Sequence, residues 1–124
     1  MFELEDKRDK LGRDLSKGMR QKVSICCALL PDPQLLFFDE PMIGLDPKAI
    51  KNTRRIFKEL KEAGKTILVS THMIDSVESI ADRIMILKDG RILGNDTIGN
   101  LKQQFLQEEG TTLEDLFLEL TKDE

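Results

Sequence analysis

Four apolar residues, Leu35, Leu36, Phe37 and Phe38, run directly into two carboxylates, Asp39 and Glu40. An apolar run too short for a helix reads as a strand buried on both faces, as in a parallel sheet with helices on either side. Acids at the C-terminal end of such a strand stand where open α/β sheets place their ligands. Acidic turns after buried strands are common, so the pair alone does not specify a reaction.

What flanks this strand narrows the choice. From about Gly18 to Leu30, the residues Met19, Val23, Cys26 or Cys27, and Leu30 recur at three- to four-residue spacing, which predicts a helical face that Pro31 and Pro33 terminate. That helix opens on Ser16, Lys17 and Gly18. A helix N-terminus presents free N–H groups and a partial positive charge, and Gly lets a phosphate approach the backbone. The Ser16 hydroxyl could donate one further hydrogen bond, although N-capping is the simpler role for such a residue.

Downstream, Asp46 and Pro47 are a strong helix start, since Asp caps free N–H groups and Pro at the first position loses no hydrogen bond. This helix should reach about Ala63, bury Ile50, Ile56, Phe57 and Leu60, and stop at Gly64. Thr66 to Ser70 reads as a second buried strand, ended by Thr71 and His72. Ile74, Val77, Ile80 and Ala81 outline a short amphipathic helix, and Ile84 to Leu87 a third strand. Asp89 and Gly90 then signal a two-residue hairpin into Arg91, Ile92 and Leu93.

Two helices close the chain. The first starts at a cap on Thr97 and carries Leu101, Phe105 and Leu106. The second has Leu113, Leu116, Phe117 and Leu120 at i, i+3, i+4 and i+7, behind a capping box of Thr111 and Glu114. Residues 2–14 are charge-rich and read as a helical remnant followed by a loop. Strands alternating with helices until a final hairpin predict an α/β layered sheet.

Composition excludes several partners. The 124 residues suit one domain, and a net charge of -4 without a long basic run leaves no electrostatic footprint for nucleic acid. The longest apolar run, Ile25 to Leu30, falls far short of the ~20 residues that span a bilayer. The first residues have no apolar signal-like region, so a cytosolic chain is expected. Cys26 and Cys27, adjacent and therefore poorly placed for a disulfide, read as reduced core residues.

Taken together, the motifs resemble the ATP-binding cassette family, the ATPase subunits of ABC transporters. LSKGM resembles the family's signature loop, LLFFDE its Walker B strand with the catalytic Glu, IGLD its D-loop, and Thr71-His72 its switch-histidine loop. The resemblance covers nearly the whole chain and keeps the family's order and spacing. It implies ATP and Mg²⁺ as cofactors, with Asp39 supporting the metal, Glu40 acting as general base and His72 sensing the γ-phosphate. Ser16, Lys17 and Gly18 would contact ATP held by the opposite subunit of a head-to-tail dimer, and Asp46 would lie at the dimer seam. Transmembrane permease subunits would hold the ATPase at the inner face of the membrane. The closing segment, TLEDLFLELT, is similar to cassettes of drug-export or multidrug type.

The departures from the family pattern are specific. Lys17 and Met19 replace the Gly and Gln of the commonest signature loop, and Met42 and Ile43 stand where many members carry Thr and Ser. No G-x-x-x-x-G-K-[ST] occurs in these residues, and the glutamine loop and adenine-stacking aromatic are absent too. The chain therefore resembles the C-terminal half of a cassette, an incomplete P-loop NTPase-type three-layer α/β/α sheet that lacks the P-loop strand and ends in a β-hairpin and C-terminal helices. Residues 1–124 would form a single partial domain: 1–31 a signature-loop helical part, 32–95 the Walker B, D-loop and switch-His core, and 96–124 a helical tail. In the family fold the P-loop strand lies between the strands expected at 66–70 and 83–88. Its loss would leave apolar strand edges open and favour association.

Hydrolysis by residues 1–124 alone is not expected, and ATP should bind them very weakly. An alternative reading is a non-catalytic interaction module that lends a signature face to a complete cassette. A soluble cassette ATPase of DNA repair or translation would carry coiled-coil or basic insertions, and neither is present.

Overall fold

The computed structural model describes residues 1–105, 110 and 112–122. The chain divides into two compact units, Met1–Ser76 and Val77–Glu124. In the first, α1 (Lys17–Leu29), β1 (Leu35–Asp39), α2 (Pro47–Glu62) and β2 (Thr66–Ser70) follow one another, and α3 (Ile74–Glu78) begins at its end. In the second, β3 (Ile84–Lys88) and β4 (Arg91–Asp96) precede α4 (Ile98–Phe105) and α5 (Leu113–Thr121).

Strands β1 and β2 pair in parallel, with Leu35 opposite Thr66, Phe37 opposite Leu68 and Asp39 opposite Ser70. Their connection is α2, which makes this a β-α-β unit. Asp46 starts α2 as expected: its Oδ1 accepts the Ala49 N–H at 2.8 Å, and Pro47 occupies the first turn. Gly64 ends it with φ +85°. One face of the sheet is covered, as Leu36 is buried and Phe38 stacks on Phe57 of α2, ring centroids 4.9 Å apart. Burying side chains of this size contributes about 1.5–3 kcal/mol each. In α2, Ile56 and Phe57 are buried as predicted, Ile50 and Leu60 only half-buried, and Ala49 and Thr53 take the remaining core positions. The buried Thr53 hydroxyl is satisfied by the Ala49 carbonyl at 2.9 Å.

The other face corrects the expectation of a strand buried on both sides. Leu35, Phe37 and Leu68 are 50%, 67% and 54% exposed. Apolar content specified a strand but not how many faces are covered.

The α1 helix is where the sequence predicts, yet it turns a different side inward. Of the expected face Val23 and Leu30 are exposed and Met19 is half-buried, while Ile25 is buried and Gly18, Gln21, Lys22, Ala28 and Leu29 are partly covered. Cys26 is half-buried, and burial pushes its thiol up; Cys27 is exposed rather than in the core. Ahead of α1, two short 3-10 turns, Glu5–Lys7 and Gly12–Asp14, replace the expected helical remnant, and Phe2 is buried.

In the second unit β3 and β4 pair antiparallel around Asp89 and Gly90, both at positive φ (+51° and +73°), as the hairpin signal requires. Among the described residues the strands form two two-stranded sheets, β1–β2 and β3–β4, and the pairing stops where a strand is expected to be lacking, between 66–70 and 83–88. Thr97 caps α4 by accepting the Asn100 N–H, and Leu101, Leu113 and Leu116 are buried. The capping box of α5 is Thr112 with Asp115, one residue beyond the pair expected. Thr111, like Leu106, lies outside the described residues. No helix among the described residues is long and apolar enough to cross a membrane.

Candidate functional site

The parallel register brings the two acids of β1 against the end of β2. Asp39 lies opposite Ser70, whose hydroxyl donates to Asp39 Oδ1. One residue on, the Glu40 N–H donates to the Ser70 carbonyl at 2.8 Å, and the chain then leaves the sheet through a left-handed conformation at Glu40, φ +48°. Non-glycine residues rarely adopt that region, and they keep it only where their surroundings fix it.

The surroundings hold the Glu40 carboxylate at three points. Thr71 Oγ1 donates to Oε2 at 2.9 Å, the His72 N–H donates to Oε1 at 3.0 Å, and His72 Nδ1 lies 2.6 Å from the same oxygen. An ionised carboxylate only accepts, so Nδ1 carries the proton and Nε2 faces outward on a ring that is 73% exposed. Thr71 Oγ1 in turn accepts the Met73 N–H at 3.0 Å, a second hydrogen bond that fixes its rotamer. Partial burial pushes the Glu40 carboxyl up, but the hydrogen bonds from His72 and Thr71 outweigh it and hold the group below the usual carboxylate range.

A second cluster forms where α1 meets the turn after Pro41. Ser16 caps α1, its Oγ accepting the Met19 N–H at 3.2 Å. A Cβ on Gly18 would lie 2.7 Å from the Gly44 carbonyl oxygen, so this glycine is needed for backbone contact within the chain. The Lys17 stem packs beside Gly44, where a Cβ would meet its Cγ at 3.4 Å. Gln21 Nε2 donates to the Pro41 carbonyl at 3.0 Å, and Lys22 Nζ stands 3.8 Å from Asp46 Oδ2. Met42, between these contacts, is 1% exposed.

The residues expected from sequence therefore fall into two groups. Asp39, Glu40 and His72 converge at the strand ends, whereas Lys17 and Gly18 pack against Gly44, Asp46 follows that turn, and Ser16 caps the helix that carries them. No hydrogen bond or ion pair links Ser16, Lys17 or Gly18 to Glu40 or His72 among the described residues. Sequence reasoning gave no role to Ser70 or Gln21, and named Thr71 only as part of the Thr71-His72 loop. Ser70 could have been found by aligning the two strands from their C-terminal ends, but Gln21 carried no local signal.

Among the described residues no cluster of three or more His, Cys, Asp or Glu side chains could hold a metal by itself. Mg²⁺ does not require one, because it uses one or two carboxylates and keeps waters and phosphate oxygens as its other ligands. An exposed Asp39 with one oxygen fixed by a neighbouring hydroxyl fits that pattern.

Comparison with known proteins gives consistent results. Residues 5–75 match the family described as "AAA domain, putative AbiEii toxin, Type IV TA system". The ABC-type transporter ATP-binding protein EcsA of Bacillus subtilis is 39% identical over 123 residues, which is 99% of this chain and 49% of that protein. The solved ATP-binding subunit of an ABC transporter superposes with a TM-score of 0.82 at 42% identity, over 89% of this chain and 45% of that one. A dimeric ATP-binding cassette in a post-hydrolysis state, bound to ADP and Pi, superposes with a TM-score of 0.65 at 33% identity, over 70% and 38%. The chain thus spans about half the length of EcsA and of the solved subunit.

Proposed function

Since the chain belongs to the ATP-binding cassette family and is part of an ABC transporter ATP-binding subunit, we propose that Glu40 is the general base of ATP hydrolysis at its strand-end site. The observation that carries this reading is the three-point hold on the Glu40 carboxylate by Thr71 and His72 beside Asp39. A base must be ionised and aimed at the proton it takes. A carboxyl held below the usual range stays ionised near neutral pH, the form in which it can accept a proton.

Asp39 serves the Mg²⁺ side, oriented by Ser70, and when bound the metal would neutralise charge on the phosphate oxygens. His72 senses the γ-phosphate. Bonding both Glu40 and a phosphate oxygen requires a proton on Nε2 as well as Nδ1. The phosphates would rest on a P-loop outside these residues, as no such motif occurs in them.

Ser16, Lys17 and Gly18 contact the ATP of a second ATPase subunit across a head-to-tail dimer, with Asp46 at the seam. The separation of the two residue groups within the chain supports this division. The assembled ATPase drives transport through permease subunits at the cytoplasmic face of a membrane. In an ATPase assay of the complete subunit carrying these residues, Glu40→Gln should lower turnover by about 10²-fold or more with ATP binding retained. Unchanged turnover would remove Glu40 from the mechanism.

A further inference from the structure

Glu40 sits at a backbone conformation that the chain must enforce, and the strand side enforces only half of it. Its N–H is fixed by the Ser70 carbonyl, 2.8 Å away. On the other side follows Pro41, fully buried and without an N–H, and then Met42, 1% exposed. The Pro41 carbonyl is held from outside the loop by Gln21 Nε2 of α1 at 3.0 Å. Gln21 is partly buried, and it lies on the same stretch of α1 as Gly18, which abuts the Gly44 carbonyl, and Lys22, which faces Asp46. One helix therefore meets the segment from Pro41 to Asp46 at three places, and Gln21 is the contact nearest Glu40.

We propose that Gln21 is a positioning residue for Glu40: by holding the Pro41 carbonyl from α1, it keeps the left-handed turn closed and the carboxylate in reach of Thr71 and His72. Its meaning for catalysis rests on the reading of Glu40 as the base, while the link itself does not. Without the amide donor the Pro41 carbonyl loses its partner, and the left-handed turn loses one of the contacts that over-determine it. Because Ser16 caps α1 and Gly18 lies in its first turn, a displacement of that helix would reach the Pro41 carbonyl, next to Glu40, through the Gln21 side chain.

The His72 N–H reports the position of the carboxylate directly, since Glu40 Oε1 accepts from it. The test is hydrogen exchange on the 124-residue chain, with the Thr66 amide, bonded to the Gln34 carbonyl at 2.9 Å at the far end of the same sheet, as the internal reference. In Gln21→Leu, His72 exchange should accelerate by about tenfold or more relative to Thr66. Gln21→Lys, which keeps a donor, should restore the wild-type ratio. A merely structural loss would speed both amides together, and an unchanged ratio in Gln21→Leu overturns the proposal. Should the Leu variant fail to fold, Gln21→Met, of similar length and without a donor, decides by the same ratio. ATPase activity does not enter this measurement, so failure of the link and failure of Glu40 as base are separate outcomes.

Discussion

A methyl group on Gly18 would stand 2.7 Å from the carbonyl oxygen of Gly44, closer than side-chain carbons approach backbone oxygens in folded proteins. The first turn of α1 and the turn before α2 are thereby pressed together backbone to backbone. Gly18→Ala should gain up to about 1 kcal/mol of helix propensity and lose about 1–3 kcal/mol to overpacking, for a net loss near 1 kcal/mol. Urea unfolding measures the balance. A stabilised variant would show that the two turns separate without cost.

Met42, one of the departures from the family pattern, is 1% exposed. Its burial gives it a packing role. Met42→Thr leaves a void and buries a hydroxyl, so it should destabilise the chain by about 2 kcal/mol or more. A thermal melt equal to wild type would contradict the core assignment.

Asp46 caps α2 through the Ala49 N–H, at 2.8 Å. Asp46→Ala should cost about 1 kcal/mol, and Asp46→Asn should recover most of it because Asn caps as well. If Asn is as poor as Ala in urea unfolding, the charge facing Lys22 matters more than the cap.

The hydrogen bonds from the Thr112 hydroxyl and N–H hold the Asp115 carboxyl below its ordinary value of 3.8. A depressed folded value means that Asp115 adds stability above about pH 4 and loses it as pH falls through the folded value. Fraying of α5 in acid, followed by the Asp115 amide shift, should therefore appear below pH 3.8 in wild type. In Thr112→Ala it should already be present at neutral pH. An α5 that frays only in the variant's acid range would place its stability elsewhere.

Calorimetry of the 124 residues with Mg-ATP should show no saturation in the micromolar range, because the backbone nest and lysine of a P-loop are not among them. Micromolar affinity would mean that the residues around Ser16 bind nucleotide unaided.

Element positions were legible because their punctuation is local. Pro31 and Pro33 stop α1, Asp46 with Pro47 starts α2, Gly64 ends it, and Asp89 with Gly90 turns the hairpin. Faces were less legible. Met19, Val23 and Leu30 form an acceptable apolar stripe, but the inward side of α1 is set by Gly18 against Gly44 and Gln21 against Pro41, contacts that no helical period encodes. The capping box slipped by one because two threonines precede two acids, and both pairings fit the pattern. Of the candidate site, Asp39, Glu40 and His72 were readable as neighbours since each follows or ends a strand. The roles of Ser70 and Thr71 depend on which residue faces which across the sheet, and a single strand does not carry that information.

That pairing makes the distant turn at Gly64 a determinant of the site. Lys65 is anchored there by Asp32 at 2.6 Å and by the Pro33 carbonyl at 2.8 Å, so the beginning of β2 cannot slide. One residue inserted between Thr66 and Ile67 would push everything beyond it a step forward and set Val69, in place of Ser70, opposite Asp39. Thr71 and His72 would advance past Glu40 by the same step. The spacing of the chain at one end of the strand, where no chemistry occurs, thus decides which side chains can meet at the other.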